Sequence, residues 1–201
     1  MKIIDCKQGS PDWFKARAGI PTASNFDKII TPSGKPSKSS DKYLDECLAE
    51  WLAGDDLSEN NASFWMQRGT ELEDEAREQY EFITGETVKQ VGFCVDGNIG
   101  CSPDGFVGDK GLVEIKCPAP ATMVDYYRNG FPNKYRPQIH GQMWVTDRSW
   151  CDFFAYHPAM KPFTVRIYAV DDYINALSEA VQEFVRRLEA EKKKLKEWKI
   201  D

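Results

Sequence analysis

At Gly85 the chain changes period, and the change limits what it can fold into. Residues 63–84 carry a helical pattern, and Gly85 stops it. From Thr87 to Ile115 the signals are β: VKQVGFCVDG, NIGCSPDGFVGD and KGLVEIK, punctuated by Asp-Gly-Asn, Asp-Gly and Asp-Lys-Gly as in a meander. Pro118 and Pro120 end the run. The order of elements is helices, a strand cluster, then helices with two more strands, with no internal repeat or linker.

The same cluster carries the first chemistry. Glu114 and Lys116 stand two apart on a strand, so they share a face. Asp104, in Ser102-Pro103-Asp104-Gly105, precedes them across a Gly-containing turn, and a hairpin would bring all three together. Two carboxylates suit a hard divalent cation such as Mg²⁺, and the Lys suits orienting a nucleophile or an anion. The spacing alone is not specific: at average composition it arises in about 4% of chains of this length. A turn Asp beside a solvated Glu/Lys strand face fits it as well.

The 201 residues, 41% hydrophobic and 29% charged, suffice for a single domain over 1–201 with a substantial core. No apolar run is long enough to span a membrane, and Met1 to Cys6 has no signal-peptide core, so a soluble cytoplasmic protein is expected. The six cysteines (6, 47, 94, 101, 117, 151) show no Cys-x-x-Cys spacing, and there are two histidines. This argues against a zinc or iron–sulfur site and for reduced, mostly buried thiols. A net charge of −6 argues against a simple DNA-coating protein. A nucleic-acid enzyme with that charge must concentrate its Lys and Arg in a cleft or channel.

Ser10 and Pro11 make a helix start, Ser at the N-cap and Pro at the first helical position. This short helix carries Trp13, Phe14 and Arg17, and Gly19 can end it. Pro21-Thr22-Ala23-Ser24 opens a second helix, with Phe26, Ile29 and Ile30 on its apolar side. Residues 31–40, TPSGKPSKSS, read as a mobile loop, and 41–53 as a helix. On the helix over 63–84, Glu71, Glu75 and Glu78 read as a solvated face. Helices follow at 120–129 and 137–146, strands at 150–156 and 163–170, and a long amphipathic helix from Asp171. Its Lys-rich end offsets the helix dipole, with phosphate contact as the alternative.

Three further motifs surround the trio: Ala16-Arg17-Ala18-Gly19-Ile20-Pro21-Thr22-Ala23-Ser24, Arg68-Gly69-Thr70-Glu71-Leu72-Glu73-Asp74-Glu75-Ala76-Arg77, and Tyr135-Arg136-Pro137-Gln138-Ile139-His140-Gly141-Gln142-Met143-Trp144. Together with Ser102-Pro103-Asp104-Gly105 and Val113-Glu114-Ile115-Lys116-Cys117-Pro118, they resemble the exonuclease family of phage lambda. These are the YqaJ-type viral recombinases of the PD-(D/E)XK nuclease superfamily. The resemblance runs from Gly9 to the final helix. It implies an α/β (α+β), restriction-endonuclease-like core, a central mixed β-sheet flanked by helices, which agrees with the element order. It implies a Mg²⁺-dependent 5′→3′ exonuclease on linear double-stranded DNA, with Mn²⁺ able to substitute. Such an enzyme releases mononucleotides and leaves a 3′ overhang for a single-strand annealing protein. It also implies a homotrimeric ring encircling the DNA.

By the same resemblance Asp104, Glu114 and the carbonyl of Ile115 are metal ligands for one or two ions. Lys116 positions or activates the attacking water, and Glu73 completes the site. Gln138 bonds water or phosphate. Arg17, Ser24 and Ser102 bind the terminal 5′-phosphate, and Tyr135 matches a DNA-binding position of the site, with simple packing as the alternative. Arg offers a planar fork for phosphate oxygens, and hydroxyls at a helix start suit an anion. Lys35 and Lys38 are candidates for tracking the duplex. His140 and Cys117 are read as packing residues. An endonuclease of the same superfamily, or a non-catalytic scaffold binding DNA or an annealing protein, are the competing readings.

Overall fold

Two sheets meet at Ser102-Pro103-Asp104, and this junction organises the rest of the molecule. The computed structural model of the chain describes residues 1–55 and 64–199. In chain order the elements begin with β1 (Lys2–Ile4), α1 (Pro11–Arg17), a 3₁₀ turn at Ala23–Lys28, α2 (Ser40–Ala53) and α3 (Phe64–Thr84). The strand cluster is β2 (Val88–Lys89), β3 (Phe93–Asp96), β4 (Ile99–Cys101), β5 (Gly105–Val107) and β6 (Gly111–Lys116). Then come α4 (Pro120–Asn129), α5 (Arg136–Thr146), β7 (Trp150–His157), β8 (Met160–Tyr168) and α6 (Asp171–Lys194).

The strand cluster is not one meander. It divides into a three-stranded sheet, β1-β3-β4, and a five-stranded sheet, β2-β5-β6-β7-β8. β6 and β7 run parallel and the other pairs of the larger sheet antiparallel, so that sheet is mixed. A parallel pair needs a crossover, which α4 and α5 supply. The sequence reading did not include β1, which pairs with β3 about ninety residues later.

Period 2 along β6 and β7 sorts side chains onto two faces. Val113, Ile115, Phe154 and Tyr156 pack against Ala76 and Tyr80 of α3. Leu112, Phe153 and Ala155 face the other way, into the cluster that holds Met123 and Tyr126 of α4 and Ile139 and Met143 of α5. Burying a side chain such as Phe153 contributes about 1.5–3 kcal/mol. One buried polar group, Asp152, accepts a bidentate pair from Arg166 (2.8 Å each) and a bond from Tyr80 Oη (2.7 Å). On α6, Tyr173, Leu177, Val181, Phe184 and Leu188 recur every three or four residues and are buried, and Phe184 stacks on Tyr43 of α2 at 5.3 Å.

The expected second helix at Pro21 is a 3₁₀ turn, whose Phe26, Ile29 and Ile30 are nonetheless buried as the pattern requires. The loop at 31–40, expected to be mobile, is closed by backbone bonds from Thr31 N to Lys35 O (2.7 Å) and from Ser37 N to Ile29 O (2.9 Å). Tyr173 Oη and Arg136 also bond its carbonyls at Thr31 and Pro32 (3.0 Å each). Composition reports local propensity, and those distant anchors are invisible to it. The helix start expected at residue 63 lies outside the described residues. Among the described residues no helix is long and apolar enough to cross a membrane. All six cysteines are free thiols, and Cys47, Cys94, Cys101 and Cys151 are buried, as the sequence suggested.

Candidate active site

The β5–β6 hairpin builds the centre. Gly105 pairs with Val113 and Val107 with Gly111, which leaves Glu114, Ile115 and Lys116 running past the start of β5. Gly105 is required there, because a Cβ on it would sit 2.1 Å from Val88 Cγ1. Asp104, just ahead of β5, takes up the backbone that β5 no longer pairs: the Ile115 N–H donates to Asp104 Oδ2 at 2.5 Å. In a strand, the N–H and C=O of one residue project to the same edge. The Ile115 carbonyl therefore lies on the edge beside Asp104.

Glu114 points to the opposite face of β6, towards α5, and is 1% exposed. A buried carboxylate needs hydrogen-bond donors to offset its lost hydration. Three supply them. Gln138 Nε2 (2.6 Å) and Lys116 Nζ donate to Oε1, and Gln142 Nε2 donates to Oε2 (2.7 Å). Gln138 and Gln142 are four apart on α5 and so lie on one helical face. Lys116 Nζ also stands 5.3 Å from the centre of the Tyr135 ring, which packs on Phe153.

Glu73 reaches the same cluster from α3. Burial raises its carboxyl above the ordinary range, Arg77 opposes that, and the charges of Lys116 and Glu114 both act on it. Its neighbours Glu71, Glu75 and Glu78 are exposed, as expected, though Glu75 accepts from Tyr156 Oη at 2.5 Å. Burial and then the Glu114 charge push Asp104 well above the ordinary carboxylate range; Lys116 pulls the other way. For Lys116, burial favours the neutral amine, but Glu114 and Asp104 outweigh it and hold the ammonium above its ordinary value. Three carboxyl groups thus share one ammonium. Fully ionised, the cluster would carry two uncompensated negative charges, which a divalent cation would neutralise.

The donor set fits such an ion. Asp104, Glu114 and the Ile115 carbonyl are hard oxygen donors, and Glu114 Oε2 accepts one bond and so keeps a lone pair. Among the described residues no three His, Cys, Asp or Glu side chains form a closed cage. An incomplete oxygen set is what Mg²⁺ accommodates, since it retains several waters.

A second group of side chains adjoins the first through Ser102-Pro103-Asp104. Gln8 Nε2 holds this link by donating to the carbonyls of Val91 and Pro103 (2.9 Å each). Helix α1 starts as the sequence predicts, with the Ser10 hydroxyl accepting from Trp13 N at 3.3 Å. Trp13 Nε1 donates to Ser102 Oγ at 2.8 Å, and the Arg17 guanidinium lies over the indole at 3.9 Å. Thr22 bridges to Gly100, and its hydroxyl shares a hydrogen bond with Ser24 Oγ at 3.2 Å. Arg17 and Ser102 are thus joined through Trp13, and the exposed Ser24 follows on the segment that runs beside β4.

Gly19 anchors this segment. It has φ +68°, and a Cβ there would lie 2.6 Å from Trp51 Cβ. Its N–H donates to Glu50 and its carbonyl accepts from Lys192 Nζ, both at 3.0 Å. Lys192 of the C-terminal Lys run therefore holds the Arg17 loop in place. His140 packs as expected: it is 2% exposed, its Nδ1 pairs with the Arg136 carbonyl, and burial lowers its pKa. Cys117 is half-buried against the α3-facing core. The side chains of Arg68 and Thr70, in the motif ahead of Glu73, lie outside the described residues.

The structure brings Asp104, Glu114, Lys116, Gln138 and Glu73 together, and Arg17 with Ser102. Sequence reasoning missed Gln142 and Trp13. Both had a signal: Gln142 stands at i+4 from Gln138, and Trp13 at i−4 from Arg17, each pair on one helical face.

A family model described as YqaJ-like viral recombinase domain matches residues 12–149. The fold is similar to the crystal structure of an alkaline exonuclease, LHK-Exo, from Laribacter hongkongensis, with 37% identity and a TM-score of 0.84 over 94% of this chain and 97% of that one. The same exonuclease in complex with dAMP matches over the same shares with 38% identity and a TM-score of 0.83. A phage related exonuclease from Haemophilus somnus 129PT is 18% identical, with a TM-score of 0.61 over 86% of this chain and 96% of that one, a likeness of fold alone. No curated protein matches the chain.

Proposed function

Because the chain belongs to the YqaJ-like viral recombinase family, we propose that it is a DNA exonuclease degrading linear duplex DNA 5′→3′ with Mg²⁺. On this reading it releases mononucleotides and leaves a 3′ overhang for a single-strand annealing protein. The observation that carries the proposal is the Asp104/Glu114/Lys116 cluster, two residues along the chain from Ser102.

Asp104, Glu114 and the Ile115 carbonyl would hold Mg²⁺ or Mn²⁺, one ion or two, whose chemistry is to acidify a water and neutralise charge on the scissile phosphate. Lys116, whose ammonium Glu114 and Asp104 favour in the metal-free fold, is placed to position or activate the attacking water. Glu73, whose carboxyl is raised, is suited to hold the proton that the attacking water loses. Gln138 fixes Glu114 Oε1, and Tyr135 flanks the ammonium.

Arg17, Ser24 and Ser102 would take the terminal 5′-phosphate, which accounts for starting at a 5′ end. Phosphate contacts carry no sequence information, so digestion is sequence-independent and weakens with salt. A homotrimeric ring would keep the enzyme on the duplex, with Lys35 and Lys38 tracking it. The experiment is digestion of linear duplex labelled at either end, with Mg²⁺. Immediate release of 5′-labelled mononucleotide with retention of the 3′ label is expected. Early loss of the 3′ label, or cutting of covalently closed circles, overturns the reading.

A further inference from the structure

We infer that Trp13 is a positioning residue of the 5′-end pocket: its indole N–H turns the Ser102 hydroxyl proton outward, and its ring face holds the Arg17 guanidinium in place. The inference rests on the reading of Arg17 and Ser102 as phosphate-binding.

The argument starts from what the groups can do. An indole nitrogen only donates, while a hydroxyl has one proton and two lone pairs. With Trp13 Nε1 donating to Ser102 Oγ at 2.8 Å, that oxygen spends a lone pair on the indole. The single Ser102 proton must point away from the ring. A hydroxyl so arranged presents a donor, and the partner that matches a fixed donor is an acceptor-only group such as a phosphate oxygen. Without the indole, the hydroxyl rotates and offers donor or acceptor with little preference.

The same ring acts on Arg17. The guanidinium lies over the indole with Cζ 3.9 Å from the ring centre. A cation over the face of an indole is attracted to it electrostatically, which restrains a side chain that is otherwise free to turn. The ring therefore holds in place the fork that would meet phosphate oxygens. Trp13 is itself held by its place in α1, where its N–H meets the Ser10 cap, and by an edge contact with Phe14 at 5.0 Å. One side chain thus aligns two donors from segments 85 residues apart in sequence, Arg17 on α1 and Ser102 after β4.

The test compares rates on linear duplexes bearing a 5′-phosphate or a 5′-hydroxyl, for the full-length wild type, Trp13→Phe, Trp13→Leu, Ser102→Ala and Trp13→Phe/Ser102→Ala. Phe keeps a ring beneath Arg17 and removes the N–H; Leu removes both. Trp13→Phe is expected to narrow the preference for phosphorylated ends by about three- to tenfold, the worth of one orienting hydrogen bond. Trp13→Leu narrows it further. The double variant is no worse than Ser102→Ala alone, because the N–H acts through that hydroxyl. Equal losses on both ends, or additive effects in the double variant, overturn the role of Trp13. So does an unchanged preference in Trp13→Phe while Ser102→Ala narrows it. If the wild type itself treats both ends alike, the phosphate reading fails, and the inference with it. Should Trp13→Leu not fold, Trp13→Phe and Ser102→Ala decide the matter by themselves.

Discussion

Replacing Gln142 by Leu separates what the fold needs from what the site needs. Gln142 Nε2 donates to Glu114 Oε2 at 2.7 Å, and both residues are buried. A hydrogen bond to a charged group is worth about 1.5–3 kcal/mol, so its loss destabilises by that amount. The other end of the amide works in the opposite sense. Gln142 Oε1 is buried with no hydrogen-bond partner among the described residues, and such a desolvated carbonyl costs about 1–3 kcal/mol. Leu is close to Gln in volume and removes both terms. The net change should be within about 1.5 kcal/mol of zero, a shift of the melting temperature of no more than about 6 °C for a chain of this size. Metal binding should suffer more, because Glu114 loses one of the donors that orient it. Loss of a partner that orients a metal ligand typically lowers affinity about 10–100-fold. Thermal melts without metal, together with calorimetric titration by Mg²⁺ and Mn²⁺, measure the two effects independently. A fall in melting temperature beyond about 10 °C would refute the stability reasoning, and an unchanged metal affinity would refute the orienting role.

Other perturbations follow from the same geometry. Lys116→Ala should reduce nuclease activity by more than about a hundredfold, the scale of removing one donor aimed at developing charge; full Mg²⁺-dependent turnover in that variant would contradict the assigned chemistry. Asp104 and Glu73 have carboxyls raised in the fold. The metal-free fold therefore binds more protons than the unfolded chain above the ordinary carboxylate range. The stability they contribute falls as pH rises from about 4 through the raised values. Asp104→Asn should accordingly melt higher than wild type without metal, by a margin that widens with pH, while losing its activity; melts across that range check the slope. Metal binding near neutral pH should release protons, which titration in buffers of different ionisation enthalpy would detect. Asp152→Ala strands the partly exposed Arg166 and the buried Tyr80 hydroxyl, and should destabilise by about 3 kcal/mol in denaturant melts; a change under about 1 kcal/mol would mean that the cluster is not coupled.

The residues within one hairpin were legible because short-range rules decide them. Glu114 and Lys116 share a face by the period of a strand, and the turn after Val107 fixes the register that puts Asp104 beside Ile115. The start of α1 was legible for the same reason, since Ser10 and Pro11 act within one helical turn. Which Glu of α3 belongs to the site was not readable from spacing. Glu71, Glu73, Glu75 and Glu78 lie on one helix, and only the fold half-buries Glu73 where the charges of Lys116 and Glu114 act on it. Its assignment came from the family resemblance, as did those of Arg17, Ser24, Ser102 and Gln138.

Sequence alone determined the local chemistry: a carboxylate pair with a Lys on a hairpin, a capped helix carrying Arg17, and a long amphipathic C-terminal helix. Tertiary structure decided everything that joins distant segments. It split the strands into two sheets at Ser102-Pro103-Asp104, and it set Gln138 and Gln142 against Glu114. It hung Ser102 on Trp13, 89 positions away, and tied the 31–40 loop to α5 and α6. The physical reason is the range of the forces involved. Dihedral preference, capping and side-chain period act over a few residues. The desolvation that makes a buried carboxylate seek three donors acts between neighbours in space, whatever their separation along the chain.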